Sequence, residues 1–261
     1  MRISHLALAA CLAAPTWALA QGSADEWIPL FNGRDLTGWT PKIAGHDTGV
    51  NFANTFRVEN GVLKVGYDGY GGRFGDQFGH LFFNQPFSHY HLVIEYRFIG
   101  EWLPDTPGWA YRNSGAMLHS QDPKTMLRAQ DFPISVEFQF LGGLSNNRPR
   151  TTGNMCSPGT EVTIGGAQAR GHCVNSTSQT YDGDQWIRAE AIVRGDSAMT
   201  FVVNGDTVLR LTNPRVGGGN VAGFDPAAKR DGSALGSGFI GLQSEGHPIE
   251  FRKVELRGLG R

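Results

Sequence analysis

The sequence predicts an all-β protein built from two packed antiparallel sheets. Three observations carry this. Short apolar and polar residues alternate in segments of strand length, with turn signals between them. Two of the turns are Asn-Gly pairs, Asn60-Gly61 and Asn204-Gly205, each flanked by β-branched and apolar residues. Glycine reaches 36 of 261 residues, and no Ala-, Leu-, Glu- and Lys-rich helical block interrupts the pattern.

In chain order, segment 56–59 and segment 62–65 form the first hairpin around Asn60-Gly61. Segments 80–83, 91–99, 115–119 and 134–141 follow as strands. Segment 186–194 is a long strand. Segments 199–203 and 207–211 form the second hairpin around Asn204-Gly205. Segments 237–244 and 249–257 close the chain. Only 122–129 and 226–230 have the composition for short helices. About a dozen strands at this spacing indicate a jelly-roll sandwich. The glycine-rich stretches 66–79 and 141–171 read as long loops, which in a domain of this size usually carry function.

The first twenty residues have the form of an export signal. Arg2 supplies charge, 6–14 is apolar, and Ala18-Leu19-Ala20 offers small residues for cleavage before Gln21. Residues 21–26 are then a short linker and 27–258 a single domain. The protein is expected in the periplasm or outside the cell, with lipid anchoring at Cys11 as a lesser alternative. No stretch is long and apolar enough for a transmembrane helix. A formal net charge of -1 gives no basic excess for nucleic acid. Once Cys11 is removed with the leader, Cys156 and Cys173 remain, an even pair that suggests a disulfide. The other arrangement is a metal pair with His172.

Alternation splits each strand into two faces. In 134–140 the residues Ile134, Val136, Phe138 and Phe140 face one way, and Ser135, Glu137 and Gln139 the other. In 91–99 an apolar set (Leu92, Ile94, Tyr96, Phe98) opposes a set with Glu95 and Arg97. Ile240 and Leu242 likewise oppose Gln243 and Glu245. Carboxylates and amides beside Trp, Tyr and His suit a sugar, which needs bidentate polar groups for hydroxyls and an aromatic face for C–H surfaces. Arg112 and Asn113 precede a strand and offer donors, and His119 lies within it. His247, in the Glu245-Gly246-His247-Pro248 turn, is expected as a histidine to titrate near neutral pH and to serve as a base or acid. Glu95 and Glu137 would form a carboxylate pair if their strands were neighbours. No nucleophile elbow, metalloprotease helix or P-loop is present.

Several motifs together resemble the 3-keto-disaccharide hydrolase domain family. Its opening signature is matched by Leu30-Phe31-Asn32-Gly33-Arg34-Asp35-Leu36-Thr37-Gly38-Trp39, and its first hairpin by 56–63. Residues 92–97, Asn113-Ser114-Gly115, Val136-Glu137-Phe138-Gln139 and the closing segments 241–243 and 249–252 follow in the family's order. The resemblance implies a concanavalin A-like lectin/glucanase jelly roll that cleaves glycosides oxidised to a ketone at C3, by hydrolysis or by elimination across C1–C2. The expected catalytic residues are Glu137, His247 and Glu95. Arg112, Asn113, Gln139, Gln243 and His119 are expected to bind substrate. No organic cofactor is expected, and a divalent metal held by His and Glu side chains is an open alternative for stabilising the enolate. The expected partner is a small carbohydrate or glycoside. The competing readings are a non-catalytic, lectin-like module of the cell envelope and a structural interaction module. The chain departs from the family pattern at 154–178, which holds both cysteines and His172.

Overall fold

The computed structural model describes residues 26–260, so the expected export signal lies outside the described residues. The strands are β1 (Ile28–Pro29), β2 (Trp39–Ile43), β3 (Phe56–Glu59), β4 (Val62–Val65), β5 (Gly79–Phe83), β6 (His89–Phe98), β7 (Asn113–Ser120) and β8 (Val136–Leu141). After them come β9 (Asn154–Cys156), β10 (Thr160–Ile164), β11 (Ala167–Gln168), β12 (Cys173–Val174), β13 (Ile187–Arg194), β14 (Ala198–Val203), β15 (Asp206–Val216), β16 (Phe239–Ser244) and β17 (Ile249–Gly258).

They form two antiparallel sheets. The ten-stranded sheet runs β11-β10-β15-β14-β13-β6-β17-β4-β3, with β1 on β17. The seven-stranded sheet runs β12-β9-β8-β7-β16-β5-β2. One apolar core fills the space between them. It takes Leu92, Ile94 and Tyr96 of β6, Phe138 and Phe140 of β8, Phe201 of β14, and Ile240 and Leu242 of β16. Phe138 stacks on Phe201 and Tyr96 on Phe140, each pair joining opposite sheets. The two Asn-Gly turns close the expected hairpins, β3–β4 and β14–β15, with both residues of each turn at positive φ.

Neither stretch expected to hold a short helix forms an α-helix. Residues 123–125 make a single 3-10 turn, capped by Asp122, whose carboxylate accepts from the Lys124 N–H. Pro226 is likewise followed by turns rather than a helix. The expected loop 141–171 holds three short strands. Gly165 and Gly166 sit at positive φ and turn β10 back onto β11. Glycine there marks a tight hairpin rather than a lack of structure. Cys156 and Cys173 face each other across β9 and β12 and are joined in a disulfide. Among the described residues, no helix is long and apolar enough to cross a membrane.

Candidate active site

The outward face of the seven-stranded sheet carries a row of polar side chains at the same height. Lys42 on β2 stands opposite His80 on β5, and His80 stands opposite Gln243 on β16. One step on from the Leu242–Ala116 pair, Gln243 meets Gly115 on β7. Gly115 pairs with Gln139, and Gln139 with Asn154. The period of two that sends Phe138 and Phe140 into the core sends Glu137 and Gln139 out onto this face.

Loops close over part of the face and leave a cavity of about 850 Å³. Its polar lining includes Glu137, Gln139, Asn113, Arg150 and Glu245, with the disulfide and His172 beside them and Asp131 and Asn220 further out. Glu137 stands in register with Cys156. Gly115 makes room for Glu137: a methyl group there would come within 2.6 Å of Oε1 and 2.9 Å of Cγ. Glu245 follows β16 directly and is fixed by its neighbours. The Tyr67 hydroxyl hydrogen-bonds the Ser244 hydroxyl at 2.8 Å and accepts from the Gly246 N–H at 2.7 Å. Gly246 adopts φ 93, and Thr106 fills the space a Cβ would need.

The electrostatics of the two carboxyl groups are unusual. Neither makes a hydrogen bond to another described residue, and Glu245 Oε2 is buried without a partner. Burial raises Glu137 above the usual carboxylate range. Burial first, and then the negative charge of Glu137, raise Glu245 well above it. Two like charges in one dry site cannot both ionise easily, so the pair tends to retain a proton. Arg150 supplies the opposite charge. Its guanidinium donates to the carbonyls of Gly142 (2.6 Å) and Tyr111 (2.7 Å), and it has no carboxylate partner among the described residues.

The expected residues divide. Glu137, Asn113 and Gln139 line the cavity together. Asn113 Oδ1 is buried without a partner, while Gln139 accepts from Asn154 Nδ2 at 3.0 Å. Gln243 lies fully buried in the polar row with neither amide atom satisfied, and His80 beside it has both ring nitrogens unpaired. Such orphaned groups usually mark water or a bound ligand.

The other expected residues lie elsewhere. Glu95 sits on β6 in the ten-stranded sheet, where it pairs with Arg188 and Arg252, so no Glu95–Glu137 pair forms. His119 is buried, with Nδ1 2.8 Å from the Leu235 carbonyl and its ring edge-on to Tyr90. Its φ of 46 and the adjacent register shift break the alternation that would have put it on the polar face. Arg112 donates to the Gly183 carbonyl and to Asp184, and Arg150 lines the cavity instead. His247 packs edge-on to Phe98 and Tyr111, outside the cavity lining, and burial pushes its pKa down to about 4.

His172 was the third member of the alternative metal pair. Among the described residues its ring, Cys156 and Cys173 form the one group of three potential ligands that converges, and the disulfide already takes both sulfurs. Two lining residues without a sequence signal are Arg150 and Trp109. Arg150 stands in a loop and Trp109 in a 3-10 turn over 108–110, where strand alternation says nothing about direction.

The profile of the 3-keto-alpha-glucoside-1,2-lyase-like domain matches residues 26–257, nearly the whole chain. The chain belongs to this family. The carbohydrate-related character of the family agrees with a lectin-type jelly roll. Similar solved structures include two proteins of Parabacteroides distasonis ATCC 8503 that carry the provisional name glycosyl hydrolase. They are 16% and 17% identical, each with a TM-score of 0.54. The alignments cover 90% and 91% of this chain and 100% and 95% of theirs. A Bacillus subtilis protein of unknown function with a galectin-like fold is 12% identical at a TM-score of 0.52, covering 91% of this chain and 97% of its own. At such identities the likeness establishes the jelly roll and nothing finer. No curated protein matches the chain.

Proposed function

We propose that this chain is an exported enzyme that cleaves 3-keto-glycosides by elimination through an enolate, with Glu137 and Glu245 as its base and acid. The observation that carries the reading is the carboxyl pair itself. Both groups are buried on one cavity wall, and the charge of one raises the pKa of the other. At neutral pH, sharing one proton makes one member a base and the other an acid, as paired carboxyls in other enzymes do.

The chemistry asks for that division. The C3 ketone acidifies the C2–H. Glu137 takes this proton, and the C–H electron pair moves into the enolate. Arg150, with Asn113 and Gln139 beside it, offers donors to the enolate oxygen on the buried floor of the cavity. The enolate then collapses, the C1–C2 double bond forms and the C1–O bond breaks. Glu245, whose proton is held by the charge of Glu137, protonates the departing oxygen. Passing the proton from Glu137 to Glu245 restores the pair. Addition of water across C1–C2 makes the net reaction a hydrolysis.

A divalent ion is the other candidate for the enolate-stabilising role, and chelation with re-addition of Mg²⁺ or Mn²⁺ separates it from Arg150. Export is supported by the form of residues 1–20 and by the disulfide, a bond of oxidising compartments.

The test is to incubate the protein with methyl 3-keto-glucoside and with unoxidised methyl glucoside, following both by NMR. The reading expects cleavage of the first only, and a loss of about 10²-fold or more in Glu137→Gln. Binding without turnover, unchanged in that variant, would support the carbohydrate-binding alternative.

A further inference from the structure

Beyond its polar floor the cavity has a second zone of different chemistry. Trp109 is 55% exposed, yet its ring is held in place by stacking on Phe78, with centroids 5.7 Å apart and planes 11° from parallel. Phe78 packs on Phe132 at 5.1 Å. The Asp131 carboxylate accepts from the Phe132 and Ala222 N–H groups, which ties the 220–222 segment to this aromatic stack. Val221 packs beside Gly159, next to Pro158 of the disulfide-closed segment. Trp109, Phe132, Pro158, Val221 and Ala222 therefore form a contiguous wall of the cavity.

This wall offers few groups to a hydroxyl. Its polar groups are at its edge: the Asn220 amide beside Val221, and the Asp131 carboxylate, whose Oδ1 is already used by two backbone donors. A second sugar ring laid against these five apolar side chains would find partners for its hydroxyls only at the edge, and hydroxyls desolvated without a partner are costly. A flat apolar ring would bury its faces against a rigid indole without that loss. The volume also exceeds what one sugar needs: about 850 Å³ lies towards the top of the roughly 300–1,000 Å³ range of sites for drug-sized ligands.

We propose that this wall is an aglycone subsite that selects glycosides with an aromatic leaving group over disaccharides. As a statement about the leaving group it rests on the 3-keto-glycoside reading. As a binding site it stands apart, which fixes the design of its test. Phenyl glucosides and glucosyl-glucose disaccharides of both anomers, all unoxidised and therefore not turned over, are titrated calorimetrically into the whole protein. One phenyl glucoside is expected to bind at least tenfold more tightly than any of the disaccharides. Trp109→Ala and, separately, Val221→Asn are expected to remove most of that preference. Equal or tighter binding of a disaccharide, binding of neither class, or a phenyl preference that survives both substitutions would overturn the proposal. Failure to cleave any 3-keto-glucoside, with the phenyl preference intact, would overturn the enzymatic reading and leave the subsite standing.

Discussion

Replacing Gly115 with alanine separates the geometry of the carboxyl pair from the stability of the fold. The added methyl carbon would lie 2.6 Å from Glu137 Oε1, 2.9 Å from Cγ and 3.2 Å from Cδ. Ordinary contacts between such atoms are about 3.5 Å, so the carboxyl must retreat by roughly 0.9 Å. It can do so, because the cavity lies on its open side and Glu137 has no protein hydrogen bond to lose. Gly115 is not in the left-handed region, so alanine brings no backbone strain. Overpacking in a closed core costs about 1–3 kcal/mol, and this site belongs at the low end, about 1 kcal/mol. For a domain of this size that is a fall in Tm of about 2–4 °C. The catalytic cost is larger, because a displacement near 1 Å can remove about 10²-fold in rate. Thermal unfolding and kcat with methyl 3-keto-glucoside are measured on the same preparation. A small loss of Tm with a large loss of kcat is expected. Wild-type kcat in a folded Gly115→Ala protein would refute the placement of Glu137 at the reacting carbon.

Four further predictions follow from the same geometry. Tyr67→Phe removes two hydrogen bonds that hold the Glu245 turn, and should cost about 1–3 kcal/mol of stability and lower kcat more than it raises KM. Replacing both Cys156 and Cys173 with serine opens a loop with sequence separation 17 and should cost about 3 kcal/mol, read as a lower urea midpoint. Because the pair is raised, kcat/KM should fall with acidification at a pH above the usual carboxylate range of about 4; an acidic limb at pH 4 in wild type would count against a shared proton. Burial holds His80 down to about 3 and His247 to about 4, below the unfolded value of about 6.5. The unfolded chain therefore takes up their protons first. This contribution to stability is complete above pH 6.5 and is lost as pH falls towards 4 and 3, and His80→Leu should flatten that slope in urea titrations at pH 7, 5.5 and 4.5. The carboxyl pair has the opposite sign, its stabilising part being lost as pH rises through its raised values.

Strand alternation made β8 legible: Phe138 and Phe140 are in the core, and Glu137 and Gln139 are on the other face. The same rule applied to β6 also put Glu95 on an outward face, and Glu95 is indeed outside the core. A period of two distinguishes the sides of a strand and carries no information about which sheet the strand joins. For the same reason Glu245 could be assigned to the polar side of β16 but not to Glu137. That link depends on the order β8-β7-β16, and β16 lies about a hundred residues further along the chain. His119 escaped the rule through a left-handed residue at a register shift, a local feature with no glycine to announce it. Arg150 and Trp109 point inward because of loop contacts, a backbone carbonyl cage for one and an aromatic stack for the other.

The most direct test of the account follows the C2 hydrogen of the substrate. Methyl 3-keto-glucoside is turned over in D₂O, and early product is examined by NMR, with free 3-keto-glucose as the control for spontaneous exchange. Removal of the proton by Glu137 predicts that every turnover loses the original C2 hydrogen to solvent, whether the product is the unsaturated ketone or its hydrate. Product that retains that hydrogen at C2, together with no primary isotope effect on kcat/KM for substrate deuterated at C2, would mean that the C1–O bond breaks without an enolate, and the roles given to Glu137, Glu245 and Arg150 would be contradicted.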